Sequence, residues 1–422
     1  MEIETKVISI ETIKPSSPTL KSQQKHQLSF LDQLAPRVFS PIIYFYSSNP
    51  SIPNSRKSNH LKKSLSEVLS LFYPLAGHLV DNLYVDCNDG GAPFVEAEAD
   101  CDLLQVITNP DPKKLNKFIP YKSDESQDFC MAVQATYFRC GGLAVGLQIS
   151  HEIADALSMV MFASTWSAVT RNGGVGGMPI PKFEAAAYFP PRDVSGFIPS
   201  RGTMKEELVT KVFTFPGSKL SVLREKYAAV GSQRRPTRVE ALSAFIWNRF
   251  ISATGAKAEP NKIYDVRHAV NLRTRVDPPL SVYHFGNIYG LSTAKPAAVD
   301  EGAELLQKVQ EAMKAVYDGY VAQLKEGEDE HMQSMNEIMA QADKAELVSF
   351  TFTGLCGFPL YEADFGWGKP VWVGSPGFPY NNLALFTDTK SGGGIEALIH
   401  LRKQDMDKFE ADMELQILIN KD

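Results

Sequence analysis

The segment Ser150-His151-Glu152-Ile153-Ala154-Asp155-Ala156 places a histidine between two different periodicities. Before it, apolar residues at alternate positions predict a strand, namely Leu143, Val145, Leu147 and Ile149. The positions between them are small or polar, so another element packs closely on that face. From Ala156 to about Thr170 the pattern is helical, and Asn172-Gly173-Gly174 ends it. Sites in α/β proteins are usually built where strands end, so His151 is the first candidate functional residue.

The same alternation of helix and strand patterns continues in both directions. Leu61, Leu65, Val68, Leu69 and Phe72 predict an amphipathic helix that Pro74 ends. Thr237 and Glu240 form a capping-box pattern at the start of another helix. A third helical stripe contains Leu305, Leu306, Val309, Met313, Val316, Tyr317, Tyr320 and Leu324. Short strands are predicted near 264–271, 283–291, 347–353, 383–389 and 395–401, with a turn at Gly392-Gly393-Gly394. The sequence therefore predicts a mixed α/β protein in two halves.

A stretch rich in glycine and proline, from Gly173 to about Arg201, is the best candidate for a linker between these halves. Its run Gly173–Gly177 lacks the G-K-[ST] ending of a phosphate loop and follows a helix, so nucleotide binding there has little support.

Composition narrows the class of protein. The 422 residues are 44% hydrophobic and 22% charged, enough to bury a large core. With 43 basic and 49 acidic side chains the net charge is −6, which argues against a nucleic-acid or anionic-membrane binder. Five widely spaced cysteines favour a reducing compartment over a disulfide framework. No signal peptide, lipidation signal or membrane-spanning run is evident, so we expect a cytoplasmic protein.

His151 suits general-base chemistry because a neutral imidazole accepts a proton near neutral pH. Asp155, four residues later, orients that imidazole, caps the helix or pairs with an arginine; the spacing alone leaves these roles open. The pattern H-x-x-x-D is common by chance, and an ordinary histidine beside a capping aspartate is the competing interpretation. A metal site is a poorer interpretation because His151-Glu152 lacks the H-E-x-x-H completion.

A second motif, Asp364-Phe365-Gly366-Trp367-Gly368, predicts a tight turn. A structural loop and a catalytic loop are both compatible with it. No Gly-x-Ser-x-Gly elbow occurs in the chain, so an esterase of the α/β-hydrolase type has little support.

Taken together, H-x-x-x-D and D-F-G-W-G in a chain of this length resemble the BAHD family of plant acyl-CoA-dependent acyltransferases, nearest to its alkaloid acetyltransferase branch. The resemblance covers almost the whole chain. Tyr73-Pro74-Leu75-Ala76-Gly77 is similar to a family motif, although His78 replaces its usual arginine. Further matching blocks are Val85–Asp89, Pro93–Ala97, Thr237–Leu242 with Trp247, Asn271–Arg275 with Pro278-Pro279, and Gly286-Asn287.

The resemblance implies two similar-sized domains, each like chloramphenicol acetyltransferase, with a substrate channel at their interface. We expect an N-terminal domain over residues 1–180 that carries H-x-x-x-D. We expect a crossover linker at 181–205. A C-terminal domain over residues 206–422 then carries D-F-G-W-G. In this family His151 is the general base, and Asp155 pairs with an arginine, here Arg273 or Arg275. By the same resemblance Asp364 is structural, and Thr353 and Trp367 are candidates for contact with the oxyanion or substrate.

One strand departs from the family pattern. Relatives in this branch usually read T-S-W-C-R, whereas this chain reads Thr353-Gly354-Leu355-Cys356-Gly357. The lost indole and guanidinium suggest an acceptor pocket widened at Gly354, Leu355 and Gly357, and a compensated core change is the alternative.

The predicted function is transfer of an acetyl group from acetyl-CoA to a hydroxyl of a bulky plant metabolite, an alkaloid or a triterpenoid such as a limonoid. A longer or aromatic acyl group, or an amine acceptor, is the alternative within the class; a thioester hydrolase and a non-catalytic binder are alternatives outside it. We expect a monomer that binds only the acyl-CoA donor and the small-molecule alcohol acceptor. No metal, no permanently bound cofactor, no nucleic acid and no membrane are expected.

Overall fold

The computed structural model describes residues 2–122, 128–195, 197, 207–228, 234–255, 262–296, 302–316, 321 and 347–419. The chain forms two compact units, and neither is continuous in sequence. Unit 1 comprises Met1–Thr203, Leu280–Ile288 and Phe358–Pro379. Unit 2 comprises Met204–Pro279, Tyr289–Gly357 and Tyr380–Asp422.

Unit 1 contains two sheets. Numbered along the whole chain, the strands of this unit are β1 (Thr5–Ile13), β2 (Lys25–Gln27), β3 (Phe39–Tyr46), β4 (His78–Val80), β5 (Tyr84–Asp86), β6 (Ala92–Ala99), β7 (Met131–Phe138), β8 (Leu143–Ser150) and β13 (Trp372–Gly374). Six of them form a mixed sheet with the order β1-β6-β7-β8-β3-β13. Only the β6–β7 pair is parallel among these neighbours. The other three strands form a small sheet with the order β2-β5-β4.

Two long helices of unit 1 pack against each other, α2 (Asn54–Leu71) and α5 (Ala156–Asn172). Its shorter helices are α1 (Phe30–Leu34), α3 (Leu103–Ile107), α4 (Pro112–Leu115) and α6 (Ala185–Tyr188). The small residues predicted on one face of β8 have a clear packing reason. A Cβ at Gly146 would lie 2.0 Å from the carbonyl oxygen of Phe118, so only glycine fits there.

The strands of unit 2 are β9 (Leu208–Phe215), β10 (Ile263–Asn271), β11 (Tyr289–Ala294), β12 (Leu347–Gly354), β14 (Leu383–Asp388) and β15 (Ile395–Arg402). They form a second six-stranded mixed sheet with the order β11-β10-β12-β14-β15-β9. Its helices are α7 (Gly217–Ala228), α8 (Arg238–Thr254), α9 (Ala303–Ala315), α10 (Lys403–Glu410) and α11 (Met413–Ile419). The predicted capping box at the start of α8 is present, with Thr237 and Glu240 bonded reciprocally. Tyr317, Tyr320 and Leu324 of the third stripe lie outside the described residues.

The predicted linker differs from the structure. Residues 181–195 belong to unit 1, and Phe189 is fully buried with its carbonyl accepting the N–H of Phe30 at 2.9 Å. Of the expected crossover at 181–205, residues 196 and 198–205 lie outside the described part of the chain.

Two segments that were expected in the C-terminal domain belong to unit 1. The predicted strand at 283–291 is wrong for residues 283–288, because Leu280–Ile288 joins unit 1 and β11 begins only at Tyr289. There Lys182 donates its N–H to the carbonyl of Tyr283 at 2.8 Å, and Phe285 donates to the carbonyl of Lys182 at 2.9 Å. The segment with D-F-G-W-G, Phe358–Pro379, also belongs to unit 1. The expectation that this motif is part of the C-terminal domain is therefore wrong.

Candidate active site

His151 follows β8 directly and is held by backbone contacts to the start of β3. Ser150, the last residue of β8, pairs with Phe39 of β3. The N–H of His151 donates to the carbonyl of Val38 at 2.8 Å. The residue is half-buried, so part of it stays accessible. The position of the imidazole is therefore set by the end of a rigid sheet, which suits a catalytic group.

The ring of His151 contacts the side chain of Asn287, which is distant in sequence. Nδ1 of His151 lies 3.1 Å from Oδ1 of Asn287. The amide nitrogen Nδ2 of Asn287 donates to the carbonyl oxygen of His151 at 2.7 Å. Because a carbonyl oxygen only accepts, this second bond fixes which end of the amide faces the ring. Oδ1 must then accept from Nδ1–H, and the neutral imidazole keeps its lone pair on Nε2.

Asp32 holds Asn287 from the other side. Its Oδ1 accepts from the backbone N–H and from Nδ2 of Asn287, at 2.8 and 2.9 Å. Its Oδ2 accepts from the N–H and hydroxyl of Ser29, at 2.9 and 2.6 Å, in the capping box of α1. Burial raises the pKa of Asp32, and these hydrogen bonds oppose that shift. A carboxylate surrounded by donors alone is suited to the ionised form.

Burial lowers the pKa of His151 below its ordinary value of 6.5. Hydrogen bonds to a backbone carbonyl and to Asn287, and the charges of Asp155 and Asp32, act in the opposite direction but are outweighed. The ring is consequently neutral near pH 7, in the state that accepts a proton at Nε2.

Asp155 is the N-cap of α5 and also ties the helix to the segment 280–288. Its Oδ1 accepts from the N–H of Ser158 at 2.8 Å, and its Oδ2 accepts from the N–H of Ile288 at 3.1 Å. The hydroxyl of Ser158 donates to the carbonyl of Gly286 and accepts from the N–H of Gly286, at 3.0 and 3.1 Å. Asp155 therefore helps to place Asn287, because the residues on both sides of Asn287 are bonded to the start of α5.

Arg273 and Arg275, the expected partners of Asp155, lie in unit 2 after β10. Arg273 is buried, and its backbone N–H and Nη1 both donate to Oδ1 of Asn271, at 3.1 and 3.3 Å. Nη1 of Arg275 donates to the carbonyl of Asn271. Both guanidinium groups thus stabilise the turn that leaves β10. The pairing of Asp155 with either arginine stays a prediction.

The D-F-G-W-G motif forms a tight loop closed by its aspartate. Oδ1 of Asp364 accepts from the N–H groups of Gly366 and Gly368, at 2.8 and 3.0 Å. Both glycines have positive φ, 101° and 110°, which other residues rarely adopt. Phe365 packs edge-to-face on Trp166 with ring centroids 4.8 Å apart, and so anchors the loop on α5.

Trp367 lies far from His151. Its ring packs on Tyr46 with centroids 6.2 Å apart. Tyr46 pairs with Leu143 at one end of the β3–β8 ladder, whereas Ser150 is at the other end. The length of β8 between these two positions is about 23 Å, at about 3.3 Å per residue. Trp367 therefore packs at the end of the ladder remote from His151, and its contact with a substrate stays a prediction.

The strand that departs from the family pattern lies in unit 2. Thr353 and Gly354 end β12, where Thr353 pairs with Leu385. Leu355 is buried, and its N–H donates to the carbonyl of Phe386 at 2.8 Å. Gly357 has φ of 85° and donates its N–H to Oδ2 of Asp388 at 2.6 Å. A Cβ at Gly354 or Gly357 would meet no atom of the described residues within 4 Å, so there is open space at these two positions.

The sequence alone assigns no role to Asn287 or Asp32. Asn287 belongs to the Gly286-Asn287 block that resembles the family. Asp32 has a detectable local signal, because Ser29 and Asp32 have the N-cap and N3 spacing of a capping box, with Phe30 and Leu31 between them. Nothing in the sequence relates that box to a residue 255 positions later.

In the part of the chain that the structure describes, no group of three or more His, Cys, Asp or Glu side chains is arranged to hold a metal ion. No helix in the described ranges is long and apolar enough to cross a membrane.

The fold is shared with solved structures, two of which are vinorine synthase and TRI101. The crystal structure of vinorine synthase is similar with a TM-score of 0.84 and 34% identity, covering 99% of both chains. TRI101 of F. graminearum, complexed with coenzyme A and deoxynivalenol, matches with a TM-score of 0.70 over 93% of this chain and 98% of its own. At 17% identity it supports the fold alone. The fold is that of two-domain acyltransferases.

Sequence comparison identifies the family. The profile of the transferase family matches residues 2–416. Limonoid 21-O-acetyltransferase of Melia azedarach is 37% identical over 96% of both chains. Vinorine synthase of Rauvolfia serpentina is 37% identical over 98% of both chains. The chain belongs to the transferase family, the BAHD acyltransferases, and is an acyl-CoA-dependent O-acyltransferase.

Proposed function

We propose that the protein transfers an acetyl group from acetyl-CoA to a hydroxyl of a bulky plant specialised metabolite, with His151 as the general base. The observation that carries this proposal is the bond between Nδ1–H of His151 and Asn287, which places the lone pair of the neutral ring on Nε2. The neutral state of the ring at pH 7 suits the same role.

The reaction needs one proton to move twice. Nε2 of His151 takes the proton of the acceptor hydroxyl while the oxygen attacks the thioester carbonyl carbon. The carbon–oxygen bond forms and the carbonyl becomes a tetrahedral oxyanion. When this intermediate collapses, the carbon–sulfur bond breaks, and the imidazolium returns its proton to the CoA thiolate. The products are the ester and free CoA, and no covalent enzyme intermediate is required because both substrates are bound together.

Asn287 and Asp32 support this cycle without touching the substrates. Oδ1 of Asn287 accepts from Nδ1–H in both protonation states of His151, so the ring does not rotate when Nε2 gains its proton. The Asp32 carboxylate favours the imidazolium through the amide. Thr353 is our candidate for oxyanion contact. His151, Asn287 and Asp32 hold and orient the proton. All three belong to one chain, so one chain is the catalytic unit.

The class of acceptor is drawn from the relatives. Their names include limonoid 21-O-acetyltransferase and salutaridinol 7-O-acetyltransferase. Both names describe the transfer of an acetyl group to an oxygen at one numbered position of the acceptor. We propose an alkaloid or a limonoid-type triterpenoid alcohol as the acceptor of this protein. The open space at Gly354 and Gly357 is compatible with a bulky ring system.

A release assay separates this function from its alternatives. Purified protein with acetyl-CoA and a panel of alkaloid and limonoid alcohols should release free CoA only when an acceptor is present. A matched panel of amines and of longer or aromatic acyl-CoA donors tests the alternatives within the class. Release without any acceptor identifies a thioester hydrolase, and no release with any acceptor identifies a binding protein; either result contradicts the proposal.

A further inference from the structure

The first strand of unit 1 offers an open sheet edge. β1 stands at the end of the sheet and pairs with β6. No strand of the described residues occupies its outer edge. Three aliphatic side chains of this strand are largely exposed, Val7 at 52%, Ile8 at 53% and Ile10 at 66%. Open edges with aliphatic side chains are sites where another strand adds, and most proteins protect them.

A bulge in β1 changes which side chains share a face. Val7 pairs with Ala97 and Ser9 pairs with Glu96, so Ile8 is an extra residue in the ladder. The alternation of faces is therefore shifted by one after Ile8. Thr5, Val7, Ile10 and Thr12 consequently lie on one face. Lys6, Ser9, Glu11 and Ile13 lie on the face that carries α2, where Nζ of Lys62 contacts Glu11 and Glu96, both at 2.6 Å.

The residues whose backbone N–H and C=O groups point away from β6 are the same ones whose side chains share a face with Val7 and Ile10. The carbonyl of Glu4 accepts the N–H of Asp100 at 3.2 Å, so Glu4 directs its backbone groups toward β6. Lys6 is in phase with Glu4, and Ser9 and Glu11 take this phase after the bulge. The backbone groups of Thr5, Val7, Ile10 and Thr12 therefore point away from β6.

We propose that β1 pairs antiparallel with β1 of a second copy of this chain, about a two-fold axis between Ile8 and Ser9. In this register Val7 lies opposite Ile10 of the second copy, and Thr5 lies opposite its Thr12. Lys6 lies opposite Glu11 of the second copy. Every pair shares a face, which holds only because of the bulge; in a regular strand Lys6 and Glu11 would lie on opposite faces.

The charges on the α2 face support this occupant. Glu98 is the cross-strand neighbour of Lys6, and Lys62 contacts Glu11. The dimer would thus contain a row of alternating charges, in which Glu98 and Lys6 of one copy are followed by Glu11 and Lys62 of the other. The two-fold axis generates this row twice. Bulges usually discourage edge pairing, but here the inserted residue makes opposite charges and aliphatic side chains meet. The sequence predicted a monomer, and this pairing departs from that expectation without adding any residue to the active site.

A single strand pair buries less surface than a typical stable interface of about 1,600 Å², so the association should be weak and dependent on concentration. Sedimentation velocity up to about 1 mM should show the mass rise from 46.7 kDa toward twice that value. A wild-type protein that stays monomeric over this range overturns the proposal.

Charge reversals test the register itself. Lys6→Glu and Glu11→Lys, each alone, place like charges opposite each other twice and should weaken self-association about tenfold or more. A one-to-one mixture of these two variants should regain it, because the glutamate introduced at position 6 of one copy then faces the lysine introduced at position 11 of the other.

The control for net charge is Lys390→Glu, which should associate like the wild type. Circular dichroism verifies that the variants are folded. Failure of the mixture to associate overturns the register and the proposal.

Discussion

Nδ1 of His151 lies 3.1 Å from Oδ1 of Asn287, and this contact decides which ring nitrogen carries the lone pair. The orientation of the amide is determined by the carbonyl of His151 and by the carboxylate of Asp32, which both accept from Nδ2. A flipped amide would place acceptor against acceptor at both of these contacts. The tautomer of the proposed base therefore follows from three fixed hydrogen bonds.

Removal of the imidazole should abolish most of the catalysis. We expect His151→Ala to lower kcat by a factor of about 10² to 10⁴, with CoA affinity nearly unchanged, since the lost group acts on a proton. Steady-state kinetics and calorimetric titration with CoA measure the two quantities. A folded variant with wild-type turnover would contradict the proposed role of His151.

The pH dependence should report the environment of His151. Only the neutral ring accepts a proton, so kcat/KM should fall as the pH drops through a pKa that lies below 6.5. Asp32 raises the pKa of His151, so Asp32→Asn should move the midpoint to lower pH and reduce the plateau rate. Glu152→Gln, which removes a carboxylate paired with Arg37, is the control and should leave the midpoint in place. An unchanged midpoint in Asp32→Asn would show that the Asp32 carboxylate does not influence the pKa of His151.

Loss of the helix cap should cost mainly stability. Asp155→Ala removes the acceptor for two backbone N–H groups, those of Ser158 and Ile288. We expect the free energy of unfolding to fall by about 2–4 kcal/mol, from a lost N-cap and an unpaired buried donor. Asp155→Asn keeps one acceptor oxygen and should lose less. Urea unfolding measures both variants, and stability equal to wild type in Asp155→Ala would refute this role.

A conservative change at Trp367 should leave the chemistry intact. Its buried Nε1 has no hydrogen-bond partner among the described residues, so Trp367→Phe removes a poorly placed donor and keeps an aromatic ring on Tyr46. We expect kcat and KM within about twofold of wild type, because loss of a transition-state donor typically costs far more, about 10² or greater. A large loss of kcat in the folded variant would contradict this expectation and indicate that Trp367 contacts the reacting groups.

The departing strand should influence which acceptors are used. We expect Leu355→Trp to reduce kcat/KM about tenfold or more for a polycyclic alcohol, and less for a small one, if the position lines the acceptor pocket. Gly354→Ser should have a smaller effect than Leu355→Trp, because the serine side chain would enter open space. Gly357→Arg is a poor test because φ of 85° strains any side chain there. Equal effects on large and small acceptors would favour a compensated core change.

Local patterns predicted the elements around His151 well. Alternation over 143–149 and the helical period after Ala156 correspond to β8 and α5, and the capping box at Thr237 and Glu240 is present at α8. These features depend on side chains within one or two turns of each other, which is the information a single sequence carries.

The errors concern contacts between distant parts of the chain. The segment 283–288 has apolar residues and resembles a strand, yet its long-range backbone bonds go to Lys182, to Asp32 and to the start of α5 rather than to a neighbouring strand. Asn287 meets His151 only through those long-range contacts. The placement of D-F-G-W-G in unit 1 has the same origin, since periodicity within a segment does not reveal which sheet it joins.

The interleaved course of the chain constrains how the protein is made. Unit 1 needs residues up to Pro379, so its sheet cannot be completed until nearly the whole chain has been synthesised. His151 emerges from the ribosome long before Asn287, and its ring lacks the Asn287 amide until part of unit 2 has also been translated. The base is therefore assembled late in biogenesis. Neither unit can be produced as one uninterrupted fragment of the natural sequence, so truncated transcripts should yield no functional half.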